Sequence, residues 1–183
     1  MLIVYAQMKR KIHLLIILVT LASCSVPPEM RTDNIPTVDQ FDLNRYLGKW
    51  YEIARLPNRF EENLEQVTAN YSLKEDGDIK VVNRGFNTEE NEWEEAEGNA
   101  RVKDNKNPSH LEVSFFWIFY SDYKVIALDK DNYQWSMVTS KSKKYLWILS
   151  RSKALEDSTY NSLIETAKGY GFDVESIIKV NQM

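Results

Sequence analysis

From Phe41 onward, apolar and polar residues alternate in short segments that turn-forming residues separate. In residues 66–74, Val67, Ala69 and Tyr71 would share one face of a strand, with polar residues on the other. The polar, glycine-containing stretch at residues 74–78 is typical of a hairpin turn. The pattern predicts eight strands, at residues 48–55, 66–74, 79–85, 93–102, 111–115, 123–128, 133–140 and 145–150.

Short strands with short connections favour neighbouring antiparallel strands, in a sandwich or a barrel. An up-and-down barrel is preferred because it closes the sheet and leaves no edge strand exposed. We therefore predict an all-β fold, an eight-stranded antiparallel up-and-down β-barrel. After it, residues 157–168 predict an α-helix, since Tyr160, Leu163, Ile164 and Ala167 recur at helical spacing. Residues 176–180 could add a short closing strand.

The N-terminal segment, residues 1–23, has the pattern of a secretory signal peptide. A basic run at residues 9–11 precedes a short apolar run at residues 14–19, which is too short to span a membrane. It ends in LASC (residues 21–24), which resembles the bacterial lipoprotein signal, in which the cysteine is acylated. Cys24 is the predicted lipid anchor, and an ordinary signal peptide with an incidental cysteine is the alternative. Ser25 in place of Asp implies the outer membrane.

Residues 24–40 are predicted to be the lipid anchor and a tether, because Pro27, Pro28 and Pro36 lie among polar residues without an apolar period. Such a tether could reach about 50 Å when extended. Residues 41–183 form the predicted barrel domain with its C-terminal helix.

Composition excludes several classes of function. A single cysteine and two histidines leave no internal disulfide and no cysteine-rich zinc site. A net charge of −4 argues against a general nucleic-acid binder. The acidic run at residues 89–97 is interpreted as a solvated strand face and loop. No catalytic residue, metal site or cofactor is predicted.

Three stretches carry a family resemblance: GKWYEIAR (residues 48–55), the turn DKDNY (residues 129–133) and YLWILSR (residues 145–151). Together they resemble the three motifs of the lipocalins, and their residues are similar to those of bacterial outer-membrane lipocalins. The second motif carries one residue more than the common form. The resemblance implies a barrel with the helix packed outside it, and a closed base where the motifs meet. The base residues are then Gly48, Trp50, Asp131, Tyr133 and Arg151, with the Arg151 guanidinium stacked on the Trp50 indole.

Strand alternation predicts which side chains face the barrel interior. From the residues alone, that interior could be a solid core or a cavity, and the lipocalin resemblance implies a cavity. Glu52 falls on the Trp50 face, where it would contact a ligand unless a β-bulge turns it outward. The predicted cavity residues are Tyr71, Val113, Phe115, Trp135, Met137, Tyr145 and Trp147.

The function that the resemblance implies is non-catalytic lipid binding by a lipoprotein on the periplasmic face of the outer membrane. The lipid partner would be a fatty acid, phospholipid or lysophospholipid, stored or transported for maintenance of the cell envelope. One alternative is a lipocalin-fold enzyme, such as an isomerase. A catalytic histidine would then have to be His110, because the other histidine lies in the signal peptide. Another is a carrier of a different hydrophobic ligand, such as a pigment.

A run of large apolar residues, FWIFY at residues 116–120, should project partly outward at the mouth of the barrel. By strand count, the lysines of residues 141–144 lie at the same end. The predicted mouth rim comprises Trp117, Phe119, Lys143 and Lys144. Such a rim suits an anionic membrane surface, and a homodimer interface is the competing explanation.

Overall fold

The computed structural model describes residues 26–115 and 119–183, and these form one β-barrel with a helix on its outside. A short helix, α1 (Leu43–Tyr46), precedes the first strand, and α2 (Asp157–Gly169) follows the eighth. No helix within the described ranges is long and apolar enough to cross a membrane. The strands are β1 (Gly48–Arg55), β2 (Leu64–Leu73), β3 (Ile79–Asn87), β4 (Glu92–Val102), β5 (His110–Ser114), β6 (Ser121–Leu128), β7 (Trp135–Thr139), β8 (Leu146–Ser150) and β9 (Ile178–Lys179).

The sheet closes because β1 pairs with strands from both ends of the barrel. Its first half pairs with β2, Trp50 lying opposite Ala69, and its second half pairs with β8. Consecutive strands from β2 to β8 are antiparallel neighbours. The prediction of an eight-stranded antiparallel up-and-down barrel is therefore confirmed.

The C-terminal segment seals the upper half of the seam where β1 diverges from β2. Strand β9 pairs with β1, which confirms the predicted closing strand. The buried side chain of Gln182 then donates hydrogen bonds to the carbonyls of Glu52 (2.7 Å) and Val67 (2.9 Å), one from each separated strand. The backbone groups left unpaired by the divergence thus find partners.

Helix α2 packs on the outside of the barrel, as expected. Its buried residues Leu163 and Ala167 lie one turn apart and join an apolar cluster with Met137 and Ile148 of the sheet. A second cluster fills the barrel itself. The wall between these two cores is therefore apolar on both faces.

Residues 26–40, which we call the strap, were predicted to be a tether, and this prediction is wrong. The strap lies along the outside of the barrel. Lys124 of β6 is buried beneath it and donates hydrogen bonds to the carbonyls of Thr32 (2.5 Å) and Ile35 (2.9 Å). Further down, the Val38 amide bonds the Val125 carbonyl, and the side chain of Ile35 is buried. The strap contacts the barrel through backbone carbonyls and isolated apolar residues. No periodic pattern in its sequence therefore predicts this contact.

The strap runs the length of the barrel from mouth to base. At the mouth, the Lys143 amide in the β7–β8 loop donates to the Met30 carbonyl (2.7 Å), and Arg31 pairs with Ser142. At the base, the Ser109 hydroxyl donates to the Val38 carbonyl (2.6 Å). The chain therefore enters the domain at the mouth.

A candidate ligand-binding cavity

The base of the barrel is organised around Arg151, which follows β8. Its guanidinium carbon lies 3.8 Å from the centroid of the Trp50 ring, as the sequence predicts. The same group donates to the carbonyls of Lys49 (2.8 Å), Arg45 (2.8 Å) and Leu47 (2.9 Å). A single cation thus ties β8 to the end of α1 and the start of β1.

Two further features close the base. Gly48 adopts φ +90°, a left-handed conformation that favours glycine, and the Arg151 guanidinium lies directly beside it. The Tyr133 hydroxyl accepts a hydrogen bond from the Asp42 amide (2.8 Å), which attaches the β6–β7 turn to α1. The predicted meeting of the three motifs at the base is therefore observed.

Asp131, predicted at the base, contributes through its backbone. Its carbonyl accepts a hydrogen bond from Arg45 (2.6 Å). The turn is shaped by Asp129, whose carboxylate accepts from the amides of Asn132 and Gln134 (both 3.2 Å). Sequence reasoning missed this role of Asp129, and the signal that could have found it is the frequency with which aspartate caps turns.

Above the base, the barrel encloses a cavity with mainly apolar walls. Of the seven predicted cavity residues, Tyr71, Val113, Phe115 and Trp147 line it. A Cβ at Gly98 would come within 2.8 Å of the Phe115 ring, so the absence of a side chain at this position leaves room for the ring. The cavity volume is about 110 Å³, below the ~300–1,000 Å³ of typical small-molecule pockets.

The prediction that Trp135 and Met137 face the cavity is wrong. Both belong to the outer apolar cluster beneath α2. The inward residues of β7 are Ser136 and Val138, of which Val138 lines the cavity and Ser136 bonds Tyr46. Alternation misled here because the outer face of β7 is covered by α2 and so is as apolar as the inner one.

Tyr145 was also predicted to line the cavity, but it precedes β8 and lies at the mouth. Its ring stacks on Trp147, with centroids 6.0 Å apart, and on the other side faces Phe60 at 6.4 Å. It is therefore part of an aromatic stack that borders the entrance.

The floor of the cavity is a chain of hydroxyl groups that the sequence did not reveal. The Tyr46 hydroxyl lies 2.7 Å from that of Tyr123 and 3.1 Å from that of Ser136, and Tyr123 in turn lies 3.0 Å from Tyr71. Burial raises the pKa of Tyr46 to about 12. These phenols therefore remain neutral hydrogen-bonding groups at physiological pH.

Below the mouth, the cavity wall carries a charged cluster built by a β-bulge. The register of β1 against β8 shifts between Glu52 and Ala54. As a result Ala54 packs outward beneath α2, and Arg55 turns to the same side as Glu52. The Arg55 guanidinium donates to the Glu52 carboxylate (2.8 Å), and both side chains are about 5 % exposed. The bulge re-aims a side chain and so gives buried Glu52 its partner.

The second carboxylate of the cluster, Glu61, comes from the β1–β2 loop. It accepts hydrogen bonds from the Trp147 indole (2.9 Å) and from Asn58 (2.6 Å). Arg55 fixes this loop by donating to the carbonyls of Glu61 (2.6 Å) and Leu64 (3.0 Å). Glu61 and Glu52 both line the cavity.

Burial, and then the nearby Glu61 carboxylate, raise the pKa of Glu52 well above its usual range, against the opposing effect of Arg55. Further along the wall, the buried Oδ1 of Asn83 has no hydrogen-bond partner among the described residues. The polar oxygens of Glu52, Glu61 and Asn83 form what we call the acceptor cluster. Such a wall is complementary to a ligand that donates hydrogen bonds.

The remaining predicted site residues lie elsewhere. Phe119 is strongly exposed, and Lys143 and Lys144 lie in the β7–β8 loop at the mouth. Cys24, the signal peptide and Trp117 lie outside the described residues. His110 bonds Asp122 on β6 (3.1 Å) and is not among the residues that line the cavity.

Comparison with known proteins identifies the family. The model of the lipocalin-like domain family matches residues 41–182. The chain is a lipocalin. This lipocalin is 43 % identical over 173 residues to outer membrane lipoprotein Blc of Vibrio cholerae, covering 94 % of this chain and 99 % of that protein. It is 43 % identical to the Blc of Escherichia coli K12 over 160 residues, 87 % of this chain and 89 % of the relative. The predicted outer-membrane location is confirmed by these relatives.

A solved structure gives the same fold at greater distance. Lobster apocrustacyanin A1 superposes with a TM-score of 0.65 at 20 % identity, covering 87 % of this lipocalin and 94 % of that chain. This likeness shows the shared barrel.

Proposed function

We propose that this lipocalin is a non-catalytic carrier that stores or moves lipids, including fatty acids, phospholipids or lysophospholipids, on the periplasmic side of the outer membrane. The supporting observation is a closed barrel whose cavity has apolar walls and a polar cluster below the mouth. Each buried methylene contributes about 0.8 kcal/mol. A single acyl chain therefore supplies enough gross binding energy to offset several kcal/mol of association cost.

A lipid tail exceeds the volume of the cavity, so side chains must move to admit it. Phe115 and Trp147 are half-buried and line the cavity. They have more freedom than the fully buried residues of the floor. We expect the tail to enter by displacing these two rings and to reach down towards Tyr71.

The test is native mass spectrometry of the protein purified from its own membranes without added lipid. We expect mass increments that match lipids with one or two acyl chains. A pigment mass, or a protein that stays empty after incubation with lipid vesicles, would contradict the carrier function.

We further propose that the acceptor cluster selects lipids with an amine head group. Glu52 and Glu61 offer carboxyl oxygens close to one another. The Arg55 guanidinium bonds the side chain of Glu52 and the backbone carbonyl of Glu61. The raised pKa of Glu52 indicates that positive charge is short around this pair of carboxyl groups, because Arg55 does not offset the effects of burial and of the Glu61 carboxylate. A primary ammonium supplies positive charge and donates hydrogen bonds. Each hydrogen bond that involves a charged group contributes about 1.5–3 kcal/mol to the free energy of binding.

Head-group selection is tested with lysolipids that share one acyl chain. We expect lysophosphatidylethanolamine to bind roughly tenfold more tightly than lysophosphatidylglycerol, in line with one charged hydrogen bond. Glu61→Gln should remove this preference while keeping tail binding. Glu62→Gln, an exposed neighbour in the same loop, is the matched control. Equal affinity for both head groups would refute selection and leave the carrier proposal intact, whereas no binding of either lysolipid would contradict both.

Anchoring at Cys24 is a separate prediction from the sequence. We expect a palmitate analogue to label the wild-type protein in cells and to leave Cys24→Ser unlabelled, because the sulfur is the acylation site. Equal labelling of both proteins would contradict it.

A further inference from the structure

The position of the strap has a geometric consequence for how the barrel meets the membrane. The Met30 carbonyl is bonded to the β7–β8 loop, at the mouth. Cys24 lies six positions before Met30 in the chain, so the anchor lies at most about 20 Å from this point. Strands of 8 and 10 residues, β1 and β2, tilted as in small barrels, give a height of about 20–25 Å. The linker is therefore too short to pass the barrel and let the base meet the bilayer.

Charge is distributed unevenly around the mouth. The β7–β8 loop, where the strap is attached, carries exposed Lys141 and Lys144. The β3–β4 loop, on the opposite side of the closed sheet, carries exposed Glu89 and Glu90. The β7–β8 loop is thus cationic, and it is the loop to which the strap is attached.

The two loops that flank the cationic loop each expose a large aromatic side chain. Phe60 in the β1–β2 loop is 59 % exposed, and Phe119 before β6 is 75 % exposed. Arg59 lies against the Phe60 ring, with its guanidinium carbon 5.1 Å from the centroid. Aromatic rings at head-group depth beside cations are the usual composition of a peripheral membrane-binding surface.

We propose that Phe60, Phe119, Lys141 and Lys144 form a docking face for an anionic bilayer surface, and that the strap and the acylated Cys24 hold the mouth of the barrel against the membrane. The acidic β3–β4 loop is then tilted away from the lipid phosphates. A lipid could pass between bilayer and cavity beside the Phe60–Tyr145–Trp147 stack. This arrangement rests on acylation of Cys24 and does not depend on which lipid the cavity holds.

The test uses the acylated full-length protein in vesicles that carry a quencher at head-group depth. Because acylation occupies Cys24, one introduced cysteine can take a fluorophore. Glu62→Cys reports from the mouth, and Glu75→Cys, an equally exposed glutamate in the β2–β3 turn, reports from the base. We expect quenching of the mouth probe and little quenching of the base probe. Equal quenching of both would overturn the proposal.

Charge reversal tests the docking face itself. On vesicles containing phosphatidylglycerol, Lys141→Glu/Lys144→Glu should lose about half or more of the mouth quenching, since each lysine contributes to attraction by anionic lipid. Lys106→Glu/Lys153→Glu makes the same charge change at the base and should have no effect. Unchanged quenching in the first variant would refute the proposal. So would a wild-type dimer in sedimentation that Phe60→Ser/Phe119→Ser converts to monomer without altering quenching, because the face would then be a homodimer interface.

Discussion

Replacing Trp50 with alanine is expected to lower the free energy of unfolding by about 3–5 kcal/mol, the usual cost of truncating a buried large aromatic residue. The Trp50 side chain is fully buried in the interior cluster, and its indole donates to the Tyr46 carbonyl (2.8 Å). Its removal also uncovers the face of the Arg151 guanidinium that stacks on the indole. A desolvated cation–π contact of this kind is worth about 2 kcal/mol. Urea unfolding of the two proteins measures the difference.

The matched control for this change is Trp93→Ala. Trp93 is 46 % exposed on the outer face of β4, where the Arg84 guanidinium covers it at 4.0 Å. We expect this change to cost no more than about 1 kcal/mol, because an exposed cation–π contact is weak. If the two tryptophan variants unfolded at the same urea concentration, the central role of Trp50 at the base would be disproved.

Replacing Arg55 with methionine is expected to destabilise the protein by about 3–5 kcal/mol, because the buried Glu52 carboxyl group loses its partner and must take up a proton or stay ionised alone. Two carbonyls of the β1–β2 loop, those of Glu61 and Leu64, lose their donor at the same time. Urea unfolding again measures the loss. In the double variant Arg55→Met/Glu52→Gln the buried carboxyl group that pairs with Arg55 is also removed, so part of the stability should return. A double variant as unstable as the single one would show that the loop contacts, and not the charge, dominate.

The raised pKa of Glu52 also predicts how the stability of the protein depends on pH. The pKa of Glu52 is raised in the folded protein, so the folded state holds a proton that the unfolded state releases. The contribution of Glu52 to stability is then fully present below the unfolded pKa of this carboxyl group and is lost as the pH rises through the folded pKa. Arg55→Met should extend this loss to higher pH, because the folded pKa of Glu52 rises further, and Glu52→Gln alone should remove it. A wild-type stability that rises with pH across this window, with no change in Glu52→Gln, would contradict the raised pKa.

Together, these variants separate two roles within one barrel. Trp50 and Arg151 hold the base closed, and neither lines the cavity. Glu52, Arg55 and Glu61 lie below the mouth. There, stability and the proposed ligand selection depend on the same charged side chains. Variants of the base should therefore change stability and leave head-group preference unchanged, whereas variants of the acceptor cluster should change both.

The sequence by itself determined the barrel and its base. Alternation in β2, where Val67, Ala69 and Tyr71 all line the cavity, follows from the two-residue period of a strand. The closing motifs could be identified because each requires a particular residue: a glycine at positive φ at Gly48, an indole at Trp50 and a guanidinium at Arg151. Such local requirements can be recognised from the residue types alone.

Only the tertiary structure decided the features that depend on a neighbour. Ile35 and Thr32 of the strap have no pattern of their own, and they are ordered by Lys124 from 89 to 92 residues away in the chain. Met137 was assigned to the wrong face because α2 makes both faces of β7 apolar. The bulge that turns Arg55 towards Glu52 changes the parity of the strand without any glycine to mark it. In each case the surroundings of the side chain are formed by residues that are distant in the chain and come together only on folding. The local sequence therefore does not predict where the side chain lies.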